Sequence, residues 1–126
     1  MKFEHFALNV PDVRAMAAWY VDHLDATIAR QRPDEPYTHF LADPAGRVFI
    51  ELYTNPLGPI PAFASAHPLS FHFAFVSSDA LASRARLELA GASLVVEERL
   101  ADGSLLVMMR DPWGVPFQLC QRAKPF

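Results

Sequence analysis

The sequence predicts an α+β fold made from one unit, strand–helix–strand–strand–strand, written twice. Three observations predict it. The stretch "HFALNVPD", His5 to Asp12, recurs as "HFAFVSSD", His72 to Asp79, identical at four of eight positions and displaced by 67 residues. The turn "DPAG", Asp43 to Gly46, recurs as "DPWG", Asp111 to Gly114, displaced by 68. Around these markers both halves show the same order of alternating strands and one helix. Two matches at nearly one offset point to an internal duplication, with a one-residue insertion in a loop.

Each element has a local reason. Residues 3–10 alternate as a strand. "PDVRAMAAWYVDHL" reads as a helix, with Asp12 as its N-cap and Ala, Met and Leu as good helix formers. A weak strand is expected near 26–31, then strands at 37–42 and 47–54 around the DPAG turn. In the second half, residues 70–76 form a strand and Asp79 caps a helix over "ALASRARLELA", which stops at Gly91. Strands follow near 93–99, 104–110 and 115–121, with turns at "ADG" and DPWG. The expected organisation is one domain: module one at 1–54, a linker at 55–68 and module two at 69–122. The linker, "NPLGPIPAFASAHP", holds four prolines and reads as extended.

Composition narrows the function. The chain has 126 residues, 52% hydrophobic, which is enough apolar material for one domain with a real core. A formal net charge of −3, with scattered basic residues, gives no footprint for nucleic acid or an anionic membrane. No apolar run is long enough to span a bilayer. Glu4 and His5 interrupt the N-terminal region where an export signal would need a clean apolar stretch. Cys120 has no second cysteine to pair with, which fits a reducing compartment, and the cytoplasm is the expected location.

Strand side chains alternate between faces. Phe71, Phe73 and Phe75 should face one way, with Ser70, His72, Ala74 and Val76 opposite. In the first half Phe6, Leu8 and Val10 form the bulky set, and His5 goes with Phe3, Ala7 and Asn9. Late in each half a polar residue interrupts an apolar strand: Glu51 in "VFIELYT" and Gln118 in "VPFQLCQ". Each half therefore supplies one histidine near its start and one Glu or Gln near its end. Singly, such a histidine is ordinarily a hydrogen-bonded core or rim residue, and such a glutamate a solvated edge residue. Together, four polar groups set into apolar strands would each cost ~1–3 kcal/mol if buried without a partner. A divalent metal would satisfy them all at once, and imidazole nitrogen with carboxylate or amide oxygen suits Zn, Ni, Co, Fe or Mn.

At these residues the sequence resembles the vicinal oxygen chelate superfamily, which includes glyoxalase I, extradiol dioxygenases, and bleomycin- and fosfomycin-resistance proteins. The matching pieces are "HFALNVPD", "WYVDHL", "DPAGRVFIELYTNP", "HFAFVSSD" and "DPWGVPFQL", spread over residues 3–122. The resemblance implies paired βαβββ modules forming an open, cup-shaped mixed sheet. It implies a divalent metal in the cup, held by His5, Glu51, His72 and Gln118. Gln118 departs from the commonest glyoxalase I pattern, where a glutamate at this place is associated with proton abstraction. An amide oxygen can ligate a metal but cannot accept a proton as a base. Glu51 is then the expected base.

That set carries one negative charge against two on the metal, which favours an anionic substrate or bound hydroxide. The activity implied first is that of a metal-dependent lyase or isomerase acting through an enolate on a small substrate with vicinal oxygens. Ring-cleaving dioxygenase chemistry comes second. The alternative is a non-catalytic module that sequesters a ligand, as bleomycin-resistance proteins do. Tyr53, Phe63, Tyr37, Phe49 and Trp113 are candidate aromatics for a ligand groove, with core or interface packing the more ordinary role of each, and His39 is a candidate group at the cup, ordinarily a strand-surface residue. A homodimer is the expected assembly, with the modules pairing within or between chains. Trp19 and Tyr20 are expected in the core, His67 exposed, and Cys120 without a nucleophilic role.

Overall fold

The computed structural model describes all 126 residues, which divide into two compact units, Met1–Pro61 and Ala62–Phe126. The first unit runs β1 (Phe6–Asn9), α1 (Val13–His23), β2 (Thr27–Gln31), β3 (His39–Ala42) and β4 (Val48–Tyr53). The second runs β5 (Phe73–Val76), α2 (Ala80–Leu89), β6 (Ser93–Arg99), β7 (Leu105–Arg110) and β8 (Pro116–Gln121). Each unit holds one four-stranded sheet, ordered β1-β4-β3-β2 or β5-β8-β7-β6. The last three strands of each unit form an antiparallel meander. The first strand, returned by its helix, lies parallel to the last.

The repeat seen in the sequence is repeated in local chemistry. Asp12 accepts a hydrogen bond from the Ala15 amide at 3.0 Å, and Asp79 from the Ala82 amide at 3.0 Å. Each satisfies one of the amides that a helix start leaves without a partner. The two DPxG turns close alike. Asp43 Oδ1 takes the amides of Ala45 and Arg47 at 2.9 and 3.0 Å, and Asp111 Oδ1 those of Trp113 and Val115 at 2.9 Å each. Gly46 and Gly114 end the turns at φ of 81° and 86°, where a side chain would be strained. The β2–β3 register slips between Ile28 and Arg30, and the β6–β7 register between Leu94 and Val96, so even the bulges recur.

One face of each sheet is covered by its helix. In the first unit α1 packs on β2, β3 and β4, and Val10, Met16, Tyr20, Leu41, Ile50 and Leu52 are all but fully buried. Trp19 and Tyr20 lie in this core as expected. In the second unit α2 packs on β6, β7 and β8, with Leu87, Val107, Met109 and Phe117 sealed inside. Phe73 and Phe75 join Phe117 through ring contacts at 6.4 and 6.3 Å, on the helix side as the alternation predicts.

Two expectations shift. The first strands begin later than the alternation suggests, so His5 and His72 stand just before β1 and β5 rather than inside them. The proline-rich stretch is also not a simple extended linker. Residues Phe63–Ser65 form a 3₁₀ turn, and Phe63 is buried. Its ring packs 6.0 Å from that of Phe71. An apolar side chain with this neighbour gains more by docking than by staying in water, and it draws the backbone with it.

Leu87→Ala should lower stability by about 2–5 kcal/mol, because it opens a cavity where the helix meets the sheet. Asp79→Ala, which removes only a cap, should cost about 1 kcal/mol. Urea unfolding followed by circular dichroism would separate the two, and equal losses would contradict this packing.

Candidate functional site

Register decides which side chains can meet. In the first unit Ala7 lies opposite Glu51 across the parallel pair, and Phe40 lies opposite Glu51 across the antiparallel one. Ala7, Phe40 and Glu51 therefore share the face away from α1. Alternation adds Phe49 and Tyr53, both half-buried, to that face. His5 leads into the same face from just before β1. Its Nε2 stands 3.1 Å from Glu51 Oε2, and its ring meets that of Phe40 edge-on at 5.4 Å. The two side chains are 25% and 20% exposed, so the carboxylate keeps little water and the imidazole replaces part of it. His5 Nδ1 lies 2.5 Å from Glu4 Oε2, yet the contact lacks hydrogen-bond geometry and this buried nitrogen has no hydrogen-bond partner. Beside the pair is a recess of about 220 Å³ lined by Glu4, Ala29, Arg30, Phe40 and Val48.

The second unit repeats the register. Ala74 lies opposite Gln118, as Ala7 lies opposite Glu51, and His72 again stands two residues before that alanine. Here the two polar groups bond to other partners. His72 is exposed, and its Nδ1 lies 3.0 Å from the Pro68 carbonyl oxygen. Gln118 is half-buried, and its Oε1 accepts a hydrogen bond from Cys120 Sγ at 3.3 Å. An apolar recess of about 620 Å³ lies at the β5–β8 edge, lined among others by Ala74, Val76, Cys120, Arg122 and Phe126. Ala74 and Val76 pair with Gln118 and Cys120, so all four share one face.

The four residues singled out in the sequence thus fall into two equivalent pairs, His5 with Glu51 and His72 with Gln118. The first pair is in direct contact. In neither unit do three or more His, Cys, Asp or Glu side chains gather as a ready metal cluster.

Two candidates for the ligand groove are corrected. His39 pairs with Leu52, so it faces the helix and not Glu51; it is buried, with Nδ1 2.6 Å from the Tyr37 carbonyl oxygen. Phe63 is only 3% exposed and belongs to the core of its own unit. Trp113 is half-buried in the second DPxG turn. Tyr37 stacks under the Arg14 guanidinium, 4.1 Å from ring centre to carbon, beside a separate recess of about 240 Å³.

Two residues escaped the sequence reading. Asn9 is nearly buried; its amide donates to the carbonyls of Asn55 and Gly58 at 2.9 Å each and its Oδ1 accepts the Asn55 amide at 2.8 Å. Its place on the His5 side of an alternating strand was the available signal. Arg110 donates to three backbone carbonyls, and no local pattern announces that.

The comparisons with known proteins agree with this architecture. The profile of the Glyoxalase/Bleomycin resistance protein/Dioxygenase superfamily matches residues 2–119. The chain belongs to that superfamily, and its two βαβββ units are the modules of the glyoxalase fold. Solved structures similar to it include lactoylglutathione lyase from Agrobacterium tumefaciens, 21% identical, with a TM-score of 0.66 over 94% of this chain and 92% of that one. TnmS3, an antibiotic binding protein from Streptomyces sp. CB03234, is 18% identical, with a TM-score of 0.71 over 98% and 97%. A glyoxalase I variant from Zea mays is 23% identical, with a TM-score of 0.73 over 98% of this chain and 46% of that one. A search of curated proteins finds no match.

Cys120 tests this geometry. It is buried, and burial pushes its thiol above the ordinary value, so the thiolate is scarce at neutral pH. A disulfide reagent should label the native protein slowly and the urea-unfolded protein at once. Rapid stoichiometric labelling of the native protein would contradict the placement of Cys120.

Proposed function

We propose that this protein is a glyoxalase-like enzyme that depends on a divalent metal and acts on a small substrate with vicinal oxygens. The observation that carries this reading is the contact between His5 Nε2 and Glu51 Oε2 at 3.1 Å. Two donors each ~2.1 Å from one metal lie about 3.0–3.4 Å apart in octahedral or tetrahedral arrangements, so this pair fits the group. His5, Glu51, His72 and Gln118 are the residues we propose would hold the ion. When bound, a divalent ion supplies Lewis-acid polarisation of the substrate oxygens and stabilises developing negative charge.

The chain's own residues do the remaining work. Glu51 accepts and returns the proton, because Gln118 has no basic oxygen to offer. His5 restricts the Glu51 carboxylate to one orientation. Tyr53 and Trp113 bound the substrate, and the low surface polarity around Phe40 and Phe49 limits water near the acid–base pair. Lyase or isomerase chemistry through an enolate is preferred; ring-cleaving oxygenation uses the same donors.

A second reading is favoured by one observation. Gln118 Oε1 already accepts the Cys120 thiol, and the adjoining recess of about 620 Å³ is mostly apolar. A ligand-sequestering module, which needs a pocket of this order and no base, is supported by both features. The likeness to an antibiotic binding protein points the same way. For either reading we propose a homodimer in the cytoplasm; a buried free thiol suits a reducing compartment. No helix is long and apolar enough to cross a membrane.

Metal-stripped protein should take up one equivalent of Co²⁺, Ni²⁺ or Zn²⁺ per chain, measured by calorimetry and elemental analysis. Glu51→Ala or His72→Ala should weaken that uptake at least tenfold. No uptake by folded wild-type protein would remove the metal-dependent reading. Ligand binding without turnover, unaffected by chelators, would establish the second.

A further inference from the structure

Arg110 is a half-buried cation at the end of β7, and its guanidinium faces three backbone carbonyls. It donates to Phe63 O at 2.8 Å, Gly114 O at 2.9 Å and Ala66 O at 2.7 Å. Two of these acceptors lie in the strap that leads to His72, and the third lies in the DPxG turn before β8. The fixed fork of a guanidinium suits several acceptors at once; an ammonium on a flexible stem does not reproduce it.

The strap also meets that turn directly. A Cβ placed on Gly114 would come within 2.7 Å of Ala64 Cβ, so the two backbones touch with no room between them. Phe63 is buried and meets Phe71 at 6.0 Å. Beyond Ala66 the chain turns, with the Ser70 amide donating to His67 O at 2.8 Å and the Leu69 amide to His67 Nδ1 at 3.2 Å. Pro68 is buried within this turn, and its carbonyl meets His72 Nδ1 at 3.0 Å.

That last contact carries chemical information. A carbonyl oxygen can only accept, so the proton of a neutral His72 ring sits on Nδ1. The Nε2 lone pair is then the one available to a metal or an acidic ligand. Histidine ligands are commonly oriented in this way by a carbonyl on the far nitrogen. Here the carbonyl belongs to a strap whose position depends on a residue more than forty positions away in the sequence.

We propose that Arg110 is a positioning residue for His72: by clamping the strap at Phe63 and Ala66, it holds the Pro68 carbonyl where it fixes the imidazole with Nδ1 protonated and Nε2 available. The proposal rests on the reading of His72 as a metal ligand only for its functional consequence. The tautomer itself is a property of the metal-free protein.

The experiment is heteronuclear NMR of the histidine ring nitrogens in metal-free full-length protein, at a pH where the rings are neutral. His72→Gln identifies the His72 signals. Wild-type protein should show His72 with its proton on Nδ1. Arg110→Met should move it toward the Nε2–H tautomer favoured by an unconstrained imidazole, and should weaken Co²⁺ binding by about 10–100-fold, the usual size of such an indirect effect. Arg110→Lys keeps the charge but not the fork; it should show the same tautomer shift in part, and it decides the matter if Arg110→Met does not fold.

A folded Arg110→Lys or Arg110→Met protein whose His72 keeps the wild-type tautomer signature overturns the proposal. So does a wild-type His72 with its proton on Nε2, even if the metal binds. Wild-type protein that takes up no Co²⁺, but whose Nδ1–H signature is lost in Arg110→Met, sustains the positioning role and removes only the metal reading.

Discussion

The parallel pairing of the first strand with the last in each unit is the constraint from which the rest follows. A helix between two strands brings the chain back in the direction it started, so β1 can join β4, and β5 can join β8, only in parallel. The register then places Ala7 opposite Glu51 and Ala74 opposite Gln118. A histidine stands two residues before each of these alanines, just ahead of the strand; His5 reaches Glu51, whereas His72 meets the Pro68 carbonyl. A slip of one residue in either pair would send the polar group into the helix-packed core, where Leu52 or Leu119 now sits. The apolar alternation that builds the core therefore also orients the polar pairs, and neither could be changed alone.

Much of this was legible in sequence because it depends on short-range rules. Asp12 and Asp79 precede helix-forming stretches, and both cap as their spacing implies. The DPAG and DPWG turns each need an Asx acceptor and a glycine at positive φ, and both have them. Alternation put Phe73 on the helix side and Glu51 on the other. His39 lies on the helix side because it pairs with Leu52, a long-range fact that period-two counting within one strand cannot supply. The segment around Phe63 is not open as its prolines suggest, because a single aromatic side chain finding Phe71 is enough to dock it. Arg110 was invisible for a related reason: its three acceptors are backbone carbonyls, which carry no sequence signature.

Duplication left two equivalent frames with unequal chemistry. In the first, the imidazole Nε2 meets the carboxylate at 3.1 Å, while its buried Nδ1 has no hydrogen-bond partner. In the second, the amide of Gln118 is taken up by Cys120 and the imidazole of His72 by a carbonyl. A carboxylate on a largely shielded face must have a positive or hydrogen-bonding neighbour; a neutral amide oxygen can take a thiol donor instead. The exchange of glutamate for glutamine in the second frame removes the need for histidine to lean toward it. His72 is then free to be held by something else, and the strap supplies that hold.

That division of labour bears on how such a pair of modules can change activity without changing fold. In the first pair the imidazole and the carboxylate already stand 3.1 Å apart, at a spacing set by the strand register. A ligand that approaches His72 meets a ring already oriented by its far nitrogen. The residues opposite Ala7 and Ala74 differ between the units, yet both lie on the face away from the buried apolar positions of their sheets. The buried faces of the sheets are thus insulated from the polar pairs, because strand alternation assigns the two to opposite sides of the same strand.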